Sequence, residues 1–288
     1  MWGTGVVFRA MLGGLSVGDG QPVALIGVLN ASPESFYQDS VYTTPDDLAD
    51  GALAMVVAGA QIVDVGAMST APYLATQISE AEETQRLRLA VEAIAKRVMV
   101  PISVDTTRSG PATAGLEAGA TIVNDVSGLK SDPAMAPLVA AARAGLLIMA
   151  HERTPQQGEP MARVIAALNE SLEIARSAGI QEESIVVDPG IGFFRHALAP
   201  GLTWHQWDCA VLRGLRELET LGRPICVGAS RKSFIGAVSR DEHAANRLFG
   251  SLAAHAIAVW NGAHLIRTHD VRETAQSVRV AQAIRGAQ

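Results

Sequence analysis

Pro224-Ile225-Cys226-Val227-Gly228-Ala229-Ser230-Arg231-Lys232-Ser233-Phe234-Ile235-Gly236 is the stretch from which this chain can be read. Pro224 to Val227 is a short, partly β-branched run bounded by turn residues, the pattern of a buried strand. It gives way at Gly228-Ala229 to two adjacent cations flanked by serines. Two cations and two hydroxyls at the end of a buried strand make a corner suited to anions or acceptors. The alternative is a solvated basic turn, and what decides between them is whether other strands end in the same way.

Working outward, short apolar runs recur at Val23–Leu29, Ile62–Val65, Ile102–Val104, Ile122–Val123, Leu146–Met149, Ile185–Val187 and Leu265–Ile266. Helical patterns separate them at Asp46–Val57, Ser79–Arg97, Pro111–Ala118, Pro133–Arg143, Met161–Ala178, Trp207–Leu221, Asp241–Val259 and Val271–Ile284. Pro45 and Pro133 suit first helical turns, and Gly59, Gly119, Gly145 and Gly179 suit helix exits. Eight strands alternating with eight helices is the count of a (β/α)8 TIM barrel, in the α/β class. An open doubly wound sheet competes, but its dinucleotide fingerprint is missing after the first strand. Ahead of the barrel, Val6–Phe8 and Leu12–Val17 flank a turn expected around Ala10. The expectation is therefore a hairpin extension over 1–20 and a single barrel over 21–288.

The composition agrees. Hydrophobic residues make up 48% of the 288, aromatics only 5%, as suits parallel strands covered on both faces. A net charge of −6 argues against nucleic acid or an anionic membrane as partner. The two cysteines, Cys209 and Cys226, form no CxxC motif, which fits a reducing compartment. No signal peptide and no run of about 18 apolar residues stands out. The expected location is the cytoplasm.

In a barrel of this kind the chemistry sits at the C-terminal ends of the strands. Every strand here ends in a polar group: Asn30, Asp64, Asp105, Asn124-Asp125, the His151 loop, Asp188, Ser230-Arg231-Lys232, and Arg267-Thr268-His269-Asp270. A lone Asp in such a place can simply cap the next helix; eight strand ends together point to a mouth. Asp64, Asp105, Asn124 and Asp188 would converge there and suit a flat heterocycle rich in N–H donors. Arg108, Arg153, Arg195, Arg231, Lys232, Arg267 and His269 would surround them and suit an anionic group such as phosphate.

From Ile26 to Val278 the chain resembles the dihydropteroate synthase family. Gly27-Val28-Leu29-Asn30-Ala31-Ser32-Pro33-Glu34-Ser35-Phe36 is similar to that family's first signature. Ile102–Thr106, Asn124–Gly128, Asp188–Phe193, Ser230–Phe234 and Arg267–Val271 resemble its later strand ends. The resemblance implies a transferase of folate biosynthesis, condensing hydroxymethyl-dihydropterin pyrophosphate with p-aminobenzoate in the presence of Mg2+. It implies that Asp105, Asn124, Asp188 and Lys232 hold the pterin. Asn30, Arg267 and His269 would handle the pyrophosphate, with Asn30 on the metal. Thr70, Pro72, Phe193 and Ser233 would shape the p-aminobenzoate pocket, at which sulfonamides would compete. Asp105, Lys232, Arg267 and His269 would carry the catalysis. A homodimer is also implied, through helices bearing Ala253, Ala254, Ile257, Ala258, Val278 and Ala281.

The departures cluster on the p-aminobenzoate side. Met68 and Ala71 stand where the family has Glu and Arg, His151 is displaced by one residue, and Phe194-Arg195 replaces the more usual Gly-Lys. Two other readings stay open. Folate-dependent methyltransferases share this barrel but have no pyrophosphate to handle, and a pterin-binding homologue could lack synthase activity.

Overall fold

The alternation of apolar runs and helical patterns resolves into eight parallel strands around one axis. They are β3 (Ala24–Asn30), β4 (Ile62–Gly66), β5 (Ile102–Asp105), β6 (Ile122–Asp125), β7 (Gly145–Met149), β8 (Ile185–Asp188), β9 (Cys226–Val227) and β10 (Leu265–Thr268). The coordinates are a computed structural model, in which residues 7–31, 44–68, 78–196, 198 and 201–286 are described. Strand order is β8-β7-β6-β5-β4-β3-β10-β9, and a single bridge between Val187 and Ile225 draws the two ends of the sheet together. This is the expected TIM barrel. The first-loop residues Ser32–Phe36 and the second-loop residues Thr70, Ala71 and Pro72 lie outside the described residues.

Side chains alternate across each strand, and that period sorts the barrel into layers. One set, including Ile26, Ile62, Ile122, Leu147, Val186, Cys226 and Leu265, fills the lower interior. The other, including Val63, Val65, Val104, Val123, Ile148, Val187 and Ile266, packs outward against the helices. Cross-strand partners keep the two sets in step around the ring, for example Asn30 with Gly66, Gly66 with Asp105 and Asp105 with Asn124.

The helices are α1 (Pro45–Ala58), α2 (Glu80–Ala95), α3 (Ser109–Glu117), α4 (Met135–Ala142), α5 (Pro160–Ser177), α6 (Trp204–Arg213), α7 (Ser233–Ser239), α8 (Leu248–Trp260) and α9 (Val271–Gly286). Local sequence sets their ends. The Thr44 side chain accepts the Asp47 N–H at 3.1 Å with Pro45 in the first turn, and Ser79 caps α2 in the same way. Four expectations shift. Pro133 precedes α4 instead of opening it, and Gly145 begins β7, because α4 exits through Arg143 at φ 51°. The pattern over Trp207–Leu221 breaks at Gly214 into α6 and a 3-10 segment; a β-carbon on Gly214 would stand 2.5 Å from Met161 of α5. The pattern over Asp241–Val259 becomes helical only in part: a 3-10 turn at Ala244–Arg247 leads into α8, and the sequence reading missed α7 altogether.

The N-terminal hairpin is present with its turn displaced. β1 (Arg9–Leu12) pairs antiparallel with β2 (Leu15–Gly18), placing Ala10 inside a strand. The turn falls at Gly13-Gly14, whose φ values of 56° and 92° suit a two-residue hairpin loop that only glycine-like residues adopt readily. Leu12 is completely buried against the lower interior layer. Asp19 fixes the hairpin's far end: it accepts the Phe8 N–H at 2.9 Å and pairs with His264 Nε2 at 3.2 Å. The hairpin thus stoppers the lower end of the barrel. Among the described residues no helix is long and apolar enough to cross a membrane.

Candidate functional site

Above the apolar layer the inward positions turn polar. Asp64, Ser103, Asp105, Asn124, Asp188 and Arg267 follow the interior period of β4, β5, β6, β8 and β10. Arg267 is their centre: Nε donates to Asp64 Oδ2 at 2.6 Å and NH2 to Asp105 Oδ2 at 2.7 Å. Asn124 Nδ2 also donates to Asp64 Oδ2, at 3.1 Å. The Asp188 Oδ1 atom accepts the Gly190 N–H at 2.7 Å, which fixes the turn after β8.

Three buried oxygens in this layer, Asp64 Oδ1, Asp105 Oδ1 and Ser103 Oγ, have no hydrogen-bond partner among the described residues. Buried polar atoms without partners are uncommon and each calls for a reason. Two unpartnered carboxylate oxygens in one buried layer make an acceptor site for a donor-rich ligand.

The charges in this layer are strongly perturbed. Burial pushes Asp105 up to about 7, against the pull of Arg267 and with a further push from Asp64. Burial raises Asp188 as well. Lys232 is brought down to about 8 by burial and by Arg267. The carboxylates Asp64 and Asp105 hold Arg267 well above its ordinary range, so it is a fixed cation. His269 falls to about 3 through burial and its cationic neighbours Arg267, Arg231 and Lys232. It is therefore a neutral imidazole that offers a hydrogen bond instead of a charge. Its Nδ1 lies 3.0 Å from Ser230 Oγ, which also accepts the His269 backbone N–H at 3.2 Å.

These values set a pH dependence. A protonated Asp105 loses acceptor capacity, so affinity for a ligand that donates N–H groups to it should rise with pH through about 7. Calorimetric titration with a pterin across that window checks this. The Asp105→Asn variant should lose the Asp105-dependent rise; the same rise in parent and variant would assign it to another group.

Lys232 Nζ lies 4.4 Å from the centroid of the Phe193 ring, and Ser233 follows at the start of α7. Lys232, Phe193 and Ser233 thus stand together at the seam between β8 and β9. Asn30 ends β3, half-buried, in the row that continues through Gly66 to Asp105. Thr70 and Pro72 fall outside the described residues.

Several cations expected at the mouth are engaged elsewhere. The Arg231 side chain is buried and bidentate to Asp270, at 2.9 and 2.6 Å, and also donates to the Ala244 and Ala245 carbonyls. Arg108 pairs with buried Glu83, and Arg153 with Glu170. Asp125, next to inward Asn124, belongs to the outward period and accepts the Ser127 and Leu129 N–H groups. His151 has Lys130, Asp125, Glu152 and Arg153 as its charged neighbours.

The sequence reading passed over Asp208 and Glu83, both completely buried helix carboxylates. A signal was there: Asp208 lies between Trp204 and Leu212, and Glu83 ahead of Leu87, each on an i, i+4 apolar stripe.

Comparison with known proteins agrees with this geometry. Residues 26–269 match the model of the family described as pterin binding enzyme. The dihydropteroate synthase of Mycobacterium leprae is 39% identical over 91% of this chain and 93% of its own. That of Escherichia coli is 37% identical over 90% of each. Among solved structures, Yersinia pestis dihydropteroate synthase in a sulfonamide drug complex superposes with a TM-score of 0.87 at 30% identity, covering 98% of this chain and all of that one. The Coxiella burnetii enzyme in complex with pteroic acid gives 0.85 at 32% identity, over 98% and 100%. The chain belongs to the pterin-binding enzymes and, within them, to the dihydropteroate synthases.

Proposed function

We propose that this chain joins p-aminobenzoate to hydroxymethyl-dihydropterin pyrophosphate, giving dihydropteroate and pyrophosphate. The observation that carries the reading is the pair of unpartnered buried oxygens, Asp64 Oδ1 and Asp105 Oδ1, at the floor of the mouth. A pterin brings the N–H donors they lack. Asp105, Asn124, Asp188 and Lys232 hold the heterocycle in this reading, with Asp64 added by its position. Arg267 keeps NH1 for the pyrophosphate while Nε and NH2 hold the two carboxylates. His269 contributes a neutral hydrogen bond, and Asn30 faces the same end.

The arylamine nitrogen attacks the methylene carbon, the carbon–oxygen bond to pyrophosphate breaks, and the amine gives up a proton to solvent. Charge on the departing group grows beside the fixed Arg267 cation, which favours the transition state over the bound substrate. Phe193 and Ser233 border the arylamine in this reading; Thr70 and Pro72, which the resemblance adds to that pocket, lie outside the described residues.

Among the described residues no group of three or more His, Cys, Asp or Glu is placed to hold a metal ion. Mg2+ is usually held by one or two protein oxygens, substrate phosphates and water. The Asn30 side-chain oxygen, at the end of β3, is a hard donor of the kind that pattern uses. Asn30 would hold the ion, which would supply neutralising charge to the leaving pyrophosphate.

A homodimer, in this reading, would use α8 and α9. Exposed Phe249, Ile257, Trp260, Val280 and Ile284 line those two helices. Such an apolar concentration suits a protein contact. The cytoplasm is the proposed location.

One preparation tests the whole reading. Purified protein with both substrates should form dihydropteroate, measured by mass spectrometry, with Mg2+ and not with excess chelator. It should sediment at twice the chain mass. Absence of product under all conditions would rule out the synthase, and undiminished product with chelator would rule out the metal.

A further inference from the structure

Glu83 is a carboxylate at a position where a barrel helix ordinarily buries an apolar side chain. It lies in the first turn of α2 and is completely buried. Both of its oxygens are engaged: Oε1 accepts the Thr106 hydroxyl at 2.5 Å, and Oε2 accepts Arg108 NH1 at 2.9 Å. Taking a charge out of water is expensive, and a buried ion pair by itself is weak evidence of stability. Its better-attested use is to fix one arrangement against the alternatives.

What the pair fixes is the turn directly after Asp105. The Thr106 hydroxyl donates to Glu83 and accepts the Arg108 backbone N–H at 3.2 Å, so its direction is set. The Thr106 N–H donates to the Asn124 carbonyl at 3.1 Å, one step beyond the pairing of Asp105 with Asn124. Arg108 NH1 also donates to the Ile78 carbonyl at 3.1 Å, and the Ser109 N–H to Asp132 Oδ2 at 2.7 Å. The backbone that follows Asp105 is thus held from α2, from β6 and from the connection after β6. Asp105 Oδ2 is held in turn by Arg267, which leaves Oδ1 as its unpartnered oxygen.

We propose that Glu83, acting through Thr106, is a positioning residue for the pterin site: it sets the direction in which Asp105 presents its unpartnered oxygen. This role rests on the pterin-binding part of the synthase reading and adds a helix residue that governs the site without lining it. Binding groups of this kind work only within about 0.5 Å of their productive geometry, and the residues behind them hold them there. With Oδ2 tied to Arg267, a shift of the turn after Asp105 swings Oδ1 off the ligand. The charge-assisted bond from Thr106 to Glu83 prevents that shift.

The test is calorimetric titration with hydroxymethylpterin, run well below the melting temperature of each variant. Thr106→Val removes the hydroxyl at nearly constant shape. It should raise the Kd roughly 10- to 100-fold, the scale on which losing the partner behind a ligating side chain is felt. Thr106→Ser keeps the hydroxyl and should bind as the parent does. A double-mutant cycle with Asp105→Asn separates positioning from plain bracing. If Thr106 acts through Asp105, the two losses overlap, and the double variant binds about as weakly as Asp105→Asn alone. Losses that multiply in full overturn the proposal, as does a parent-like Kd in Thr106→Val with only a lower melting temperature. A loss in Thr106→Ser as large as that in Thr106→Val overturns it too, because the hydroxyl is then not responsible. If Thr106→Val does not fold, Glu83→Gln decides, since it keeps an acceptor for Thr106 but turns an N–H toward Arg108. A smaller loss with the same overlap supports the role, and a parent-like Kd overturns it. A parent protein that binds no hydroxymethylpterin overturns the pterin reading and the positioning role together; a parent that binds it, with variants unchanged, overturns the positioning role alone.

Discussion

Arg267→Ala should lower kcat by about 10²- to 10³-fold, the usual scale for removing one preorganised group that stabilises developing charge. The pterin KM should change far less, because the guanidinium acts mostly as the pyrophosphate separates. Stability should fall too. Arg267 joins Asp64 to Asp105 at 2.6 and 2.7 Å in a buried layer, and stripping one partner from such a set costs about 3–5 kcal/mol. Part of that cost is relieved because Asp105, already raised to about 7, can take up a proton. The variant should accordingly regain stability in mild acid relative to the parent. Arg267→Lys would restore a charge but not two directed bonds, and should recover only part of both losses. Single-turnover kinetics and thermal melts at two pH values measure these effects. A kcat close to that of the parent would remove Arg267 from the leaving-group role.

The second large effect lies away from the chemistry. Arg231→Ala would strip Asp270 of a bidentate partner and leave the Ala244 and Ala245 carbonyls without their donor. Arg231 is buried, so the same range of about 3–5 kcal/mol applies. That is a large share of the 5–15 kcal/mol that typically separates folded from unfolded protein. The apparent melting temperature should drop by roughly 10 °C. Activity at low temperature should fall less than it does in Arg267→Ala, because Arg231 organises the Ser230–Lys232 corner from behind. A melting temperature matching that of the parent would show that the pair contributes nothing net.

The two arginines show how far the sequence could be read. The polar strand-end residues Asp64, Asp105, Asn124 and Arg267 come together at one end of the barrel, and six matching segments named the family. What residue type could not supply was the direction in which each side chain points. Asn124 and Asp125 are adjacent, yet the two-residue period of β6 sends one into the barrel and the other to a backbone turn. Arg231 and Lys232 are adjacent too. Left-handed backbone at Arg231, φ 53°, turns its side chain down toward Asp270. That conformation is uncommon outside glycine, and no local pattern announced it. Helix ends were legible where a cap was chemical, as at Thr44 and Ser79. They were not where tertiary packing set the break, as at Gly214 against Met161.

The hairpin that stoppers the barrel has a consequence for the order in which the molecule comes together. Leu12 and Asp19 precede every barrel strand in the sequence, but Asp19 is tied to His264, 245 residues later. The next strand, β3, likewise needs β10 on one side, with Ala24 beside Leu265. Both partners follow β9 in the sequence, so neither exists until seven of the eight barrel strands have been made. The hairpin is thus made before the barrel strands and completes its contacts with the last of them, so it waits for His264 while the strands between are synthesised. Such waiting segments are where large domains are most exposed to misassembly. Two glycines at the tip give the hairpin the backbone its turn needs, so forming that turn depends on no later residue.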